Sequence, residues 1–392
     1  MARILFVVPP LTGHVNPTLS VAAELERRGH EVRWAAHTAL TGEMIPDKSK
    51  IISLPIDDGF MDGLQEKSQK VRGLASVQFL YEDFCLPLAK QSLTALERIV
   101  REFQPDLIMC DHQMLAGALV ARRMGVPWLS LVTTTASILK MSHVDTVEKW
   151  VIKQLHELQS FYGMREFTER PDFSPYGVIV FSSPELVGTQ HERYPATYHF
   201  VGPAFSHRPQ VIDFPWSRLD PTREKVLVSL GTVSRDRGLR FYDVLIEALA
   251  ELPLQIIMVG PEVLREKAPE NFIIQPRVPQ VALLPQMTAV VCHAGHNTVC
   301  ESLSYGLPLI VAPIRDDQPV IAQQVVDAGA GLYMRYGKVS VATARETMQS
   351  LLTEPKFRAN AQRLAESFKR LGGGRQAADV VQEYLAASSV LN

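Results

Sequence analysis

Residues 3–17 read Arg3-Ile4-Leu5-Phe6-Val7-Val8-Pro9-Pro10-Leu11-Thr12-Gly13-His14-Val15-Asn16-Pro17, an unbroken apolar run closed by two prolines and a polar loop. A short continuous apolar run bounded by turn residues reads as a strand buried on both faces. Pro17 is then expected to open a helix, whose apolar Leu19, Ala22, Ala23 and Leu25 recur at helical spacing until Gly29. Strand follows helix again at residues 31–36, 107–110 and 128–132, the alternation of a parallel sheet covered by helices. From Lys225 the same grammar restarts, with strands at 226–230 and 254–259, a helix near 239–252, and further pairs down to Tyr336.

A chain of 392 residues exceeds one ordinary hydrophobic core, so two α/β domains are expected. The boundaries predicted are an N-terminal domain over 1–205, a linker over 206–223 holding Pro209, Pro215 and Pro221, and a second domain over 224–375. A last helix over 376–392 carries Ala378, Val381 and Leu385 on one face, suited to packing back on the N-terminal domain. Hydrophobic residues at 46% and charged residues at 21% fit a folded globular chain. A net charge of −2 leaves no basic excess to hold nucleic acid or an anionic membrane. Cys85, Cys110, Cys292 and Cys300 show no C-x-x-C spacing, which argues against a disulfide framework or structural zinc. No apolar run reaches the roughly 20 residues of a membrane helix, and the expected setting is a reducing cytoplasm.

Ligands of open α/β sheets bind at the carboxyl ends of strands, where the sequence puts His14. The loop has one glycine rather than G-x-G-x-x-G, so NAD or FAD binding loses its support. An imidazole there suits removal of a proton from an attacking hydroxyl at neutral pH; the plainer reading is a loop histidine that caps the helix. Asp111 ends the run Leu107-Ile108-Met109-Cys110, so it can fix the tautomer of His14 as a dyad partner or simply cap a helix. His112 reads as structural.

In Cys292-His293-Ala294-Gly295-His296-Asn297-Thr298-Val299-Cys300-Glu301, a strand at 289–292 precedes a helix expected over 298–305. The intervening loop then offers free backbone N–H groups at a helix N-terminus, a site for phosphate. His293, His296, Asn297 and Thr298 add polar side chains, and Gly295 lets the backbone approach a ligand closely. Apolar Phe79, Leu80 and Phe84, residues 139–141 with Met141, and the amphipathic stretch 147–161 are candidates for an acceptor pocket or for plain core.

The block Arg277-Val278-Pro279-Gln280, the loop from His293 to Glu301, and Pro313-Ile314-Arg315-Asp316-Asp317-Gln318 together resemble the nucleotide-sugar signature of family-one glycosyltransferases. His14, Asp111, Phe200-Val201-Gly202-Pro203 and Ser229-Leu230-Gly231-Thr232 occur in that family's order. The resemblance, nearest to the bacterial macrolide and flavonoid glucosyltransferase type, covers nearly the whole chain. It implies an α/β fold of two Rossmann-like domains (GT-B) facing each other across a cleft. By the resemblance His14 is the general base, Asp111 its partner, and the reaction an inverting, metal-independent hexosyl transfer from a UDP-sugar, or a dTDP-sugar, to a small hydrophobic acceptor. It further implies that His293, Asn297 and Thr298 hold the diphosphate, with Ser229 and Thr232 near it. Glu301 then meets the ribose, Val278 and Gln280 lie by the base, and Asp317 and Gln318 meet the hexose. Arg277 stands where plant members have a stacking Trp, and Ala294 and His296 replace a plant Cys and Trp.

No cofactor or metal is expected: Asp316-Asp317 is not D-x-D, and the E-x7-E spacing of Glu262 and Glu270, a mark of retaining enzymes, falls away from the donor helix. A nucleotide-sugar 2-epimerase and a non-catalytic nucleotide-sugar-binding auxiliary protein are the alternative readings.

Overall fold

The computed structural model describes residues 1–71, 73–138, 145–207, 212–231 and 239–390. Contacts divide the chain into two units, Met1–Ser183 with Gln190–Pro209 and Leu371–Asn392, and Pro184–Thr189 with Gln210–Arg370.

In the first unit the strands are β1 (Arg3–Val7), β2 (Glu31–Ala36), β3 (Ile51–Ser53), β4 (Leu107–Asp111), β5 (Trp128–Val132), β6 (Val178–Val180) and β7 (Tyr198–Phe200). They form one sheet in the order β3-β2-β1-β4-β5-β6-β7, every pair parallel. Alternate residues of β1 feed opposite cores, as the pleat requires. Ile4 and Phe6 join Leu19, Ala22 and Leu25 of helix α1 (Thr12–Arg27), and Leu5 and Val7 join α2 (Leu86–Phe103) and α3 (Leu115–Met124) through Leu93, Leu96 and Leu119. Helix α4 (Asp145–Phe161) adds Val151, Leu155 and Leu158 to that second core. Each such apolar side chain stabilises the fold by about 1.5–3 kcal/mol.

Helix α1 begins at Thr12, five residues before the expected start at Pro17. The N–H groups of His14 and Val15 already bond the Leu11 carbonyl at 2.9 and 3.0 Å, so the first turn closes ahead of the proline. Pro17 therefore sits inside the helix, where its missing N–H removes one ladder bond. His14 consequently belongs to the first helical turn rather than to a loop.

The last helix, Gly374–Val390, is counted by its contacts with the first unit: Ala377, Ala378 and Val381 share a core with Leu19, Ala22 and Leu25 of α1. Arg28 clamps the pair, reaching Glu24 and Asp379 at 2.7 Å each. Gly373 turns the chain into this helix with φ 59, and a Cβ there would lie 2.3 Å from the Pro203 carbonyl oxygen.

In the second unit β8 (Glu224–Ser229), β9 (Leu254–Val259), β10 (Phe272–Gln275), β11 (Ala289–Cys292), β12 (Leu309–Val311) and β13 (Gly331–Tyr333) form a parallel sheet in the order β10-β9-β8-β11-β12-β13. Helix α5 (Leu239–Leu249) buries Phe241, Tyr242, Leu245 and Leu249 against it. The helices α6 (His296–Ser304) and α7 (Gln318–Asp327) follow β11 and β12.

The contacts redraw the expected boundaries. Part of the 206–223 stretch is fastened to the second unit, because the Gln255 side chain accepts from Asp220 N and donates to Arg218 O, both at 2.8 Å. Pro184–Thr189 joins the same unit, where Glu185 accepts from Ser367 Oγ at 2.6 Å and Arg370 at 3.1 Å.

Candidate active site

In both sheets the strand order reverses next to the first strand of the unit, between β1 and β4 and between β8 and β11. Crevices of α/β sheets open at such reversals, outside the carboxyl ends of the two strands. Val7 is paired with Cys110 and Ser229 with Cys292, so the residues that follow are held together in each unit.

In the first unit those residues are His14 and Asp111. The Nδ1 of His14 lies 2.8 Å from Asp111 Oδ2, and Thr133 Oγ1 lies 2.9 Å from the same nitrogen. Asp111 is wholly buried as the last residue of β4. Burial opposes its ionisation, but the hydrogen bond and charge of His14, the neighbouring His112 and a 2.9 Å bond from Gln113 N to Oδ1 outweigh it, holding the carboxyl below the usual range. An ionised Asp111 accepts from Nδ1–H and leaves Nε2 as the basic nitrogen. His112 points away: its two nitrogens meet Leu131 O at 3.2 Å and Ser137 Oγ at 2.7 Å, its ring stacks on Phe173, and burial favours its neutral form. Thr133 is the residue the sequence reading missed; the signal was Thr133-Thr134-Thr135 at the carboxyl end of the strand beside β4.

The second unit builds its loop around His293. Helix α6 starts at His296, two residues before the expected Thr298, with Gly295 as N-cap, so His296, Asn297 and Thr298 are its first turn. Val299 N reaches back to Gly295 O at 3.0 Å, which closes that turn early. The first-turn N–H groups of a helix have no intrahelical partner and, with the helix dipole, favour an anion. Ala294 holds φ 64 and Gly295 φ −63, so Gly295 is needed for space rather than for a left-handed turn. A Cβ on it would sit 2.5 Å from His293 Nε2, and one on Gly231, which has φ 75, would sit 2.7 Å from His293 Cε1. Two glycines thus sandwich the ring. Burial brings the His293 pKa down to about 4, with Arg315 acting in the same direction and Asp317 and the Ser229 backbone opposing. The ring is neutral at pH 7, and its buried Nδ1 makes no hydrogen bond among the described residues.

Around this loop, Gln280 Nε2 donates to Glu301 Oε2 at 2.7 Å, joining two residues that the sequence separates by twenty-one positions. Glu301 is buried one turn into α6. Gln318 heads α7, and its Oε1 accepts from Ile314 N and Arg315 N at 2.8 and 3.0 Å. That leaves its amide NH2 as the group able to donate to a ligand. Asp317 is the N-cap of α7, Val278 is buried, and Arg277 is exposed after β10. Glu262 and Glu270 flank the loop between β9 and β10, away from α6 in sequence.

Thr232 and Met141, with the rest of 139–141, lie outside the described residues. Phe84 packs in the core, 5% exposed, with its ring 5.9 Å from that of the partly buried Phe60. Phe79 ends the helix Leu74–Phe79, half-buried.

Two family models match. Residues 12–129 match a glycosyltransferase family 28 N-terminal domain, and residues 243–379 match the C-terminal domain of erythromycin biosynthesis protein CIII-like proteins. The chain is 28% identical to the uncharacterized UDP-glucosyltransferase YojK of Bacillus subtilis, covering 98% of this chain and 97% of that protein. It superposes on the glycotransferase of kitacinnamycin with a TM-score of 0.79 at 21% identity, over 98% of this chain and 99% of that one. The glycosyltransferase VinC in complex with dTDP gives a TM-score of 0.77 at 20% identity, over 98% and 100%. Fold, family models and full-length relatives define a glycosyltransferase enzyme. The two family models, the full-length relatives and the fold together support a family-one glycosyltransferase of the GT-B fold.

Proposed function

We propose that this enzyme moves a hexose, with glucose as the first choice, from a UDP- or dTDP-sugar to a hydroxyl of a small hydrophobic natural product, with inversion and without a metal. The observation that carries the reading is the 2.8 Å contact between His14 Nδ1 and buried Asp111, which leaves Nε2 free to act as a base. In the reaction Nε2 takes the acceptor's hydroxyl proton as the oxygen attacks C1 of the sugar. The bond from C1 to the phosphate oxygen breaks, and the nucleoside diphosphate leaves with that electron pair. Attack opposite the leaving group inverts the anomeric centre.

The base is carried by the first unit and the diphosphate loop by the second. The free N–H groups at the start of α6 and the Thr298 hydroxyl suit the departing negative charge, and a neutral His293 adds no charge of its own. Glu301, steadied by Gln280, suits ribose hydroxyls, and the Gln318 amide and Asp317 suit those of the hexose. The UDP in the name of YojK and the dTDP held by VinC support a pyrimidine nucleotide donor. The kitacinnamycin enzyme's name supports a natural-product acceptor. An apolar pocket separates acceptors of similar size poorly, so the acceptor range is expected to be broad.

The test is a mass-spectrometric assay with UDP-glucose and dTDP-glucose, a panel of phenols, macrolides and carotenoids, and EDTA, comparing wild type with His14→Ala. Product from wild type and not from H14A is the expected result. Loss of wild-type activity in EDTA contradicts metal independence, and equal activity in H14A contradicts the base. Interconversion of the sugar without acceptor would indicate the epimerase.

A further inference from the structure

Thr133 stands one residue past the end of β5, beside β4, and is 4% exposed. Its Oγ1 is 2.9 Å from His14 Nδ1, the nitrogen that already faces Asp111 Oδ2 at 2.8 Å. A ring nitrogen carries one hydrogen or one lone pair, so two close partners on Nδ1 constrain each other. Asp111 is held ionised and can only accept. Nδ1 must therefore carry the proton, and a protonated Nδ1 cannot accept from the threonine hydroxyl. Thr133 is left as a second acceptor of the same N–H.

We infer that Thr133 is a positioning residue for the base: with Asp111 it shares the Nδ1–H of His14 in a three-centre bond that fixes the imidazole plane and aims Nε2. Two acceptors on one N–H define a plane, whereas Asp111 alone leaves the ring able to rotate about the Cβ–Cγ bond. The same hydroxyl oxygen interacts more strongly with the imidazolium formed in the reaction than with the neutral ring, because a charged N–H is the stronger donor. Thr133 thus favours the state reached once Nε2 has taken the proton. This inference rests on the reading of His14 as the base. Asp111 touches His14 directly, and the His112 ring, turned to Leu131 O and Ser137 Oγ, has its centroid 6.1 Å away; Asp172, paired with Arg170 at 2.6 Å, acts on His112.

The variants Thr133→Val, Thr133→Ser and His14→Ala are compared over pH 5–9 in the transfer assay. Valine keeps the volume and removes the oxygen. The expected result for T133V is a kcat lower by about tenfold with the donor KM unchanged, since one hydrogen bond to a group that becomes charged is lost. T133S, which keeps the hydroxyl, restores kcat. Should T133V melt early, T133A carries the same comparison. A T133V with wild-type kcat overturns the inference, as does a loss that falls on donor KM rather than kcat or one that T133S leaves unrepaired. If H14A itself retains wild-type rate, the base reading has failed instead, and the two failures are told apart.

Discussion

Asp111→Asn changes one atom of the first unit's site and keeps its shape. The amide can offer an N–H to Nδ1, which would leave the proton on Nε2 and remove the basic nitrogen, since Asp111 now fixes the opposite tautomer at 2.8 Å. We expect kcat to fall by about a hundredfold or more with little change in donor KM, read by steady-state kinetics. At His293 the measurement is stability against pH. Its pKa in the fold is about 4 against an ordinary 6.5, so the unfolded chain takes up a proton first as the pH drops. His293 therefore costs the fold nothing above about pH 6.5, and stability is lost progressively as pH falls from there toward 4. Thermal melts of His293→Asn should lose less on acidification than wild type; parallel curves would contradict the buried neutral ring. The places of His14, Asp111 and the loop before α6 were legible because each follows an apolar run at the carboxyl end of a strand. Thr133 was not, since its contact with His14 spans 119 positions and depends on which strand lies beside β4.

Helix starts were the least legible elements. Proline at the first turn is the ordinary signal, yet at α1 the Leu11 carbonyl closes the turn before Pro17, and only that shift brings His14 onto a helix. At α6 the expected start was two residues late because the N-cap is Gly295, which makes no side-chain cap bond and so leaves no Ser, Thr, Asp or Asn to read. The glycine's reason is steric and lies between elements. We expect Gly295→Ala, with its Cβ 2.5 Å from His293 Nε2, to push the ring from between Gly231 and Gly295. Titration calorimetry with UDP should then show donor affinity weakened by about tenfold or more, the cost of moving by a fraction of an ångström the loop proposed to hold the diphosphate. Unchanged affinity would mean that the ring and the diphosphate do not meet.

At the scale of the molecule, the two parallel sheets were readable from the alternation of apolar runs, whereas the division into units was not, because proline content said nothing of Gln255 holding Arg218 and Asp220. The chain's end belongs to the first unit's core. Deleting residues 374–392 would uncover Leu19, Ala22 and Leu25 and remove the Arg28–Asp379 pair. Losing several buried side chains at about 1.5–3 kcal/mol each should lower the melting temperature by on the order of 10 °C, seen in a thermal scan. The central claim, that His14 directs a single displacement at the anomeric carbon, is tested most directly by proton NMR of the product made from an α-linked sugar nucleotide. A β-linked anomeric proton, identified by its coupling to H2, is the result this account predicts; an α-linked product would contradict it.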